Sequence, residues 1–292
     1  MENDFGIETT REGIQLTRKN VTGLKINCIE GLCAANRNEI SIPRDRKWYN
    51  ENILVPMIAR KEIDDGSRTP FDDRKMWLDY TSISPGVITM ALGFTNYKDF
   101  KRDLNSSSEE LIALQRKGEG LLRNKFAFLS TRAPGICGLV ISAEGSIFIG
   151  QRAGTVDCPG SFNAVSGHVT YNADSKKIDL ENEVARECLE EIGIGEDQIE
   201  RMTFVGGYNH PVRGDLDFSF LVHTSLPNSY FTSGDWAKKV KEKEHSNLIQ
   251  ISSYASVQDL LQNGILPGHK DPKIFYSTRG ALQSVRPSEM AS

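Results

Sequence analysis

The stretch Arg186-Glu187-Cys188-Leu189-Glu190-Glu191-Ile192-Gly193-Ile194 places carboxylates at i, i+3 and i+4 and follows them with a glycine. At about 3.6 residues per turn these acids share one face of a helix. With Glu187 as reference, Glu190 falls roughly 60° to one side and Glu191 roughly 40° to the other, and Glu183 lies about 40° away as well. Like charges so spaced repel and weaken an isolated helix. A divalent cation removes that objection, because hard cations take several carboxylate oxygens. The opposite arc, Ala185, Cys188, Leu189 and Ile192, is then the face expected to be buried. A solvated acidic surface is the plainer reading of a lone ExxEE. Arg186 before the first acid, the β-branched Ile194 after Gly193 and a Gly-rich turn upstream argue for a metal-binding ridge.

The rest of the chain is ordinary in composition. Its 292 residues are ample for a sizeable core and suggest about two domains. A net charge of −4 without any Lys/Arg run disfavours a nucleic-acid scaffold. No apolar run approaches the ~20 residues of a membrane span, and the first residues lack the basic start and apolar core of a signal peptide. Five cysteines, an odd number with no CxxC spacing, read as reduced, buried thiols in a cytoplasmic protein.

Residues 1–128 are read as a smaller α+β unit. Strand-like alternation covers 13–17 and 24–28, a helix with Pro56 as a boundary is expected over 48–62, and strands are expected over 77–83 and 87–92. A short helix opens near Asn96, and Ser106-Ser107-Ser108-Glu109 caps another running to about Lys117. Residues 129–292 form the second unit. Strands are expected over 138–142, 146–152, 162–165, 201–208, 218–223 and 248–252, and helices over the acidic stretch, 256–262 and about 272–285. This alternation describes an α/β (α+β) sandwich around a mixed sheet.

Gly167 together with Arg186-Glu187, Glu190-Glu191 and Gly193-Ile194 resembles the Nudix box, G-x5-E-x7-R-E-U-x-E-E-x-G-U. The second half of the box matches. The first half departs from it: Arg186 stands nineteen positions after Gly167, five more than the pattern, and the place of the first box glutamate falls on Ile178. Asp174 or Asp179 would have to replace that glutamate. The insertion, the segment from Ala91 to Phe100 with Ser106 to Ser108, the approach from Pro159 to His168, and the later Glu244-His245-Ser246 and Arg279-Gly280-Ala281 are similar to the UDP-glucose/UDP-galactose diphosphatase branch, which carries an N-terminal extension domain. The similarity runs from about Trp77 onward.

The resemblance implies a Nudix α/β/α sandwich and Mg²⁺- or Mn²⁺-dependent hydrolysis of a nucleoside diphosphate sugar to UMP and sugar 1-phosphate, by a monomer or homodimer. Glu187, Glu190, Glu191 and the Gly167 carbonyl are then metal ligands, held in place by Arg186. Glu183, Glu190 and Glu244 are candidates for the base. Arg152, His168, Tyr208 and Arg213 are candidates for substrate binding, with Asn209 and His210 in the same polar loop as the last two. Each has a plain structural alternative, as a surface arginine, a turn histidine or a solvated loop. ADP-ribose or another nucleoside diphosphate derivative is the alternative substrate. A nucleotide-sensing module without catalysis and a diphosphate isomerase using Cys158 are the alternatives to hydrolysis.

Overall fold

The computed structural model describes residues 5–9, 14–18, 25–30, 74–84, 87–122, 125–154, 156, 158–169, 179–240, 243–269 and 271–290. The helix expected over 48–62 lies outside them, as do Asp174 and Ile178.

Residues 134–141, Pro-Gly-Ile-Cys-Gly-Leu-Val-Ile, form β6, in which every residue is buried. A near-continuous apolar strand of this kind belongs in the middle of a sheet covered on both faces. Here β6 pairs in parallel with β11 (Leu216–Thr224), which pairs antiparallel with β10 (Ile199–Asn209). On its other edge β6 meets two partners. Val140 and Ile141 pair with the start of β7 (Ile147–Arg152), whereas Gly135 to Gly138 pair with β9 (Val165–His168). The strands β6 and β7 therefore diverge, and β9 enters between them beside the two-residue β8 (Phe162–Asn163), which pairs β7. The single strand expected over 162–165 is thus split. Its ladder is interrupted at Ala164, whose N–H donates to Thr278 Oγ1 at 2.8 Å. β12 (His245–Ile251) closes this end of the sheet. At the far end β1 (Phe5–Thr9) and β2 (Ile14–Arg18) extend it, β2 pairing antiparallel with β10. A separate three-stranded sheet orders β3 (Lys25–Glu30), β5 (Val87–Asn96) and β4 (Arg74–Ser84).

Helices α1 (Tyr97–Leu104) and α2 (Ser108–Leu122) follow β5. Ser107 and Glu110 reciprocally cap α2: Glu110 N–H donates to Ser107 Oγ and Ser107 N–H to Glu110 Oε2. The helix runs past its expected end to Leu122; Leu111 packs with Phe126 and Leu129, and Gln115 donates to the carbonyls of Pro211 and Val212.

The two faces of the main sheet carry separate cores. On one, Ile136, Val140, Phe218 and Phe220 meet Val184 and Cys188 of α3 (Leu180–Ile192), with Tyr230 and Phe231 of the short α4 (Asn228–Thr232) and Trp236. On the other, Cys137, Leu139 and Ile141 meet Val257 and Leu260 of α5 (Tyr254–Asn263) and Ala281 and Leu282 of α6 (Tyr276–Gln283). The result is an α/β/α sandwich on a mixed sheet. Among the described residues no helix is long and apolar enough to cross a membrane.

Helix α3 is delimited at both ends. The Asp179 side chain accepts from Asn182 N–H at 3.1 Å, and Gly193 adopts φ 68°, with its N–H and that of Ile194 returning to the carbonyls of Leu189 and Cys188. This is the Schellman geometry that favours glycine. Asp179, one of the two aspartates expected to replace the missing box glutamate, is the N-cap of α3.

Tyr208 is buried against Gly280 of α6: a Cβ on Gly280 would lie 1.9 Å from the ring. Its hydroxyl donates to Gln283 Oε1 at 2.5 Å. Substituting Gly280→Ala must displace the ring or the helix, and an overpacked core loses about 1–3 kcal/mol. Urea unfolding of this variant is expected to show a loss in that range; an unchanged midpoint contradicts this packing.

Candidate functional site

The acids of α3 do not face away from the core. Glu183, Glu187 and Glu191 form an i, i+4, i+8 row beside the apolar row Leu180, Val184, Cys188 and Ile192, and both rows are buried. Glu191 is 1% exposed and Glu187 8%, while Leu189 is 54% exposed. The expectation that Leu189 lies in the buried arc is therefore corrected. The apolar row is centred about 60–100° from Glu187 rather than opposite it, so the helix rests on the sheet with its acid row at the seam with β9.

At that seam Gly167 is required. A Cβ there would lie 1.8 Å from Glu187 Oε1, so any other residue would expel the carboxylate. The neighbouring Ser166 N–H donates to Glu191 Oε1 at 3.3 Å. His245 Nε2 lies 2.8 Å from Glu191 Oε2, with both side chains almost wholly buried. Arg186 reaches along the helix to three acids: Glu183 Oε2 at 2.9 Å, Glu187 Oε1 at 2.6 Å and Glu190 Oε2 at 2.8 Å. Glu190 is exposed.

Burial dominates the titration of this row. Burial and the charge of Glu191 push Glu187 up to about 7 against the opposing pull of Arg186. Burial, then the charge of Glu244, raises Glu191 well above the usual carboxylate range. Burial and Arg152 lower His245 to about 4, so it is neutral near pH 7. These carboxylates are short of positive charge, which is the condition a cation relieves. Glu187, Glu190, Glu191 and the Gly167 carbonyl offer oxygen only, the donor set that suits Mg²⁺ or Mn²⁺. Among the described residues no three His, Cys, Asp or Glu side chains already converge to hold a metal ion, and Arg186 takes up much of the carboxylate charge.

Arg152 and Glu244 flank the row. Arg152 ends β7, its guanidinium 3.5 Å from Glu244 Oε2 and stacked 5.8 Å from the Phe275 ring centre. The carbonyl of Glu244, just before β12, accepts from Ala153 N–H at 2.8 Å. His168, after Gly167, meets the edge of Phe100 from α1 with ring centres 4.9 Å apart. The structure thus gathers Glu183, Glu187, Glu190, Glu191, Arg186, Gly167, His168, Arg152 and Glu244 at the place where β6 and β7 part.

Tyr208 and Arg213, expected to reach substrate, are not part of that group. Tyr208 is core. Arg213 makes a two-pronged ion pair with Asp215, at 3.2 and 3.1 Å, beneath Tyr276. His210 Nδ1 accepts from the N–H groups of Val212 and Arg213, which closes the turn instead of leaving the ring free for a ligand. Cys158, expected to be buried, is exposed, whereas Cys137 and Cys188 are buried. That His245 and Ser166 hold Glu191 is not marked by any spacing in the sequence.

On the α6 face Tyr276 OH donates to Asp215 and, at 3.0 Å, to Asp217 Oδ2. Asp217 lies over Gly135, where a Cβ would fall 2.1 Å from its Oδ1.

No family model matches the chain, and no relative is found among curated proteins. Among solved structures it is similar to an Ap4A hydrolase of C. elegans in a binary complex (14% identity, 52% of this chain and 93% of that one, TM-score 0.33). It is also similar to a MutT protein from Methanosarcina mazei Go1 (18% identity, 52% and 90%, TM-score 0.34) and to the NUDIX domain of Shewanella oneidensis NrtR complexed with ADP ribose (12% identity, 52% and 85%, TM-score 0.33). Likeness at this level assigns no activity.

Burial and the neighbouring Asp215 raise the folded-state pKa of Asp217. As pH climbs from the ordinary aspartate range through that raised value, the folded chain holds a proton that the unfolded chain has released, so Asp217 subtracts stability with rising pH. Replacing Asp217→Asn removes this slope. Urea unfolding at pH 5 and pH 8 is expected to show the variant gaining on the unaltered protein at the higher pH; a difference independent of pH contradicts the shift.

Proposed function

We propose that this chain is a hydrolase of the Nudix kind, dependent on Mg²⁺ or Mn²⁺, which cleaves the diphosphate of a nucleoside diphosphate sugar such as UDP-glucose. The products are UMP and sugar 1-phosphate. One observation carries the reading: the carboxylate of Glu187, from the Arg-Glu-x-x-Glu-Glu helix, is seated on the backbone of Gly167, a position only glycine allows. Residues 129–292 hold the chemistry in this reading, and residues 1–128 act as an extension that adds β1 and β2 to the main sheet and meets His168 through Phe100.

Glu187, Glu190, Glu191 and the Gly167 carbonyl would hold the metal. When bound, it neutralises phosphate oxygens and lowers the pKa of water. Arg186 keeps the acid row aligned through charge-assisted hydrogen bonds. Arg152 orients the diphosphate, its planar guanidinium suited to two phosphate oxygens. Glu244 takes the proton of the attacking water as a new P–O bond forms and the bridging P–O bond breaks. It is preferred among the three base candidates because its ion pair with Arg152 is long, at 3.5 Å, whereas Glu183 and Glu190 hydrogen-bond Arg186 at 2.9 and 2.8 Å.

The second reading, a nucleotide sensor, draws on the absent first box glutamate and on the arginine already engaged with three acids. A phosphatase-coupled assay with UDP-glucose, with and without Mg²⁺, separates the two. Metal-dependent phosphate release is expected, falling on the order of a hundredfold or more in Glu191→Gln as electrostatic stabilisation is lost. Binding of UDP-glucose without any release would favour the sensor. Turnover of ADP-ribose but of no nucleoside diphosphate sugar would overturn the substrate while keeping the chemistry.

A further inference from the structure

The strand β12 does not alternate at its start. Its pairing with β7 shifts register between His245 and Asn247, and the sequence His245-Ser246-Asn247-Leu248 reads buried, exposed, exposed, buried. A bulge of this kind re-aims one side chain. The one turned inward is His245, which reaches under the sheet to α3. Its ring is backed by Gly150, where a Cβ would lie 2.2 Å from Nδ1, so the ring has one seat. Nδ1 has no hydrogen-bond partner among the described residues, and Nε2 points at Glu191 Oε2. Ionised, as a metal ligand must be, the Glu191 carboxylate only accepts, which puts the proton on Nε2. The second oxygen of Glu191 accepts from Ser166 N–H. Ser166 is anchored in turn: Asn163 Nδ2 donates to Ser166 Oγ at 2.6 Å, and Thr278 Oγ1 donates to Asn163 Oδ1 at 2.6 Å.

We propose that His245 is a positioning residue for Glu191: its Nε2–H and the Ser166 N–H each grip one carboxylate oxygen and so fix the plane in which Glu191 meets a divalent cation. This rests on the reading of α3 as the metal-binding helix. A buried carboxylate with a flexible torsion binds a cation poorly, and partners of this kind are worth about 10–100-fold in metal affinity. The bulge, the glycine behind the ring and the Asn163–Thr278 chain then have one common purpose, which is the orientation of a single side chain.

The test is Mn²⁺ titration of the full chain, followed by electron paramagnetic resonance, on the unaltered protein, Glu191→Gln, His245→Gln and His245→Asn. The Gln amide nitrogen comes near the place of Nε2 and keeps the donor. The Asn amide nitrogen comes near Nδ1, faces Gly150 and cannot reach Glu191. His245→Gln is expected to bind Mn²⁺ nearly as the unaltered protein does, while His245→Asn weakens binding about 10–100-fold at a similar thermal midpoint. Equal affinity in both variants, retained or lost, overturns the positioning role, even where Glu191→Gln abolishes binding and leaves the metal reading intact. Failure of the unaltered protein to bind Mn²⁺ overturns both. Should the histidine variants not fold, Gly150→Ala, which crowds the ring from behind, replaces them, and unchanged affinity there refutes the proposal.

Discussion

The close approach of the Glu187 carboxylate to the backbone of Gly167 is the constraint on which the site depends. It forces glycine at 167, fixes how far α3 can roll over the sheet, and brings the whole acid row to the seam with β9. A row of buried acids is costly to desolvate. Three compensations are present: Arg186 spans Glu183, Glu187 and Glu190, while His245 and the Ser166 N–H hold Glu191. The raised pKa values of Glu187 and Glu191 show that compensation is incomplete.

The seam exists because of the sheet. After Ile141 and Ile147 pair, β6 and β7 separate, and β8 and β9 fill the gap. The gap is where backbone carbonyls and short side chains come closest to both helical layers. From one layer Glu187 closes on Gly167, and from the other Asp217 closes on Gly135. Gly135 neighbours Ile136, which pairs with Gly167, so two carboxylates approach adjacent strands from opposite faces. Asp217, with Asp215, Tyr276 and Arg213, binds the 210–215 turn to α6 and does structural service behind the site.

Much of the fold was legible along the chain. β6 read as a strand from the apolar run that starts at Gly138, α2 as a helix from the Ser106-Ser107-Ser108-Glu109 cap, and α3 ended where Gly193 follows the last apolar residue. Other parts were not. The orientation of α3 was misread because amphipathic reasoning places acids opposite the core, and nothing in local spacing says that a glycine on another strand will admit them. Tyr208 and Arg213 read as a polar loop because tyrosine and arginine look alike whether they bind ligand or, as here, fill a core and a half-buried ion pair. The reach of His245 to α3 was not legible because its direction is set by a bulge, and a bulge depends on the partner strand.

The order of apolar runs, caps and turns along 292 residues was enough to establish a mixed α/β sandwich with an acid-bearing helix, since periodicity and capping are local properties of the chain. Which acids are buried and what holds each oxygen came from contacts between distant segments, such as Asn163 with Thr278, 115 residues apart. Such contacts follow from strand divergence and helix roll, and these emerge only when the whole sheet is assembled.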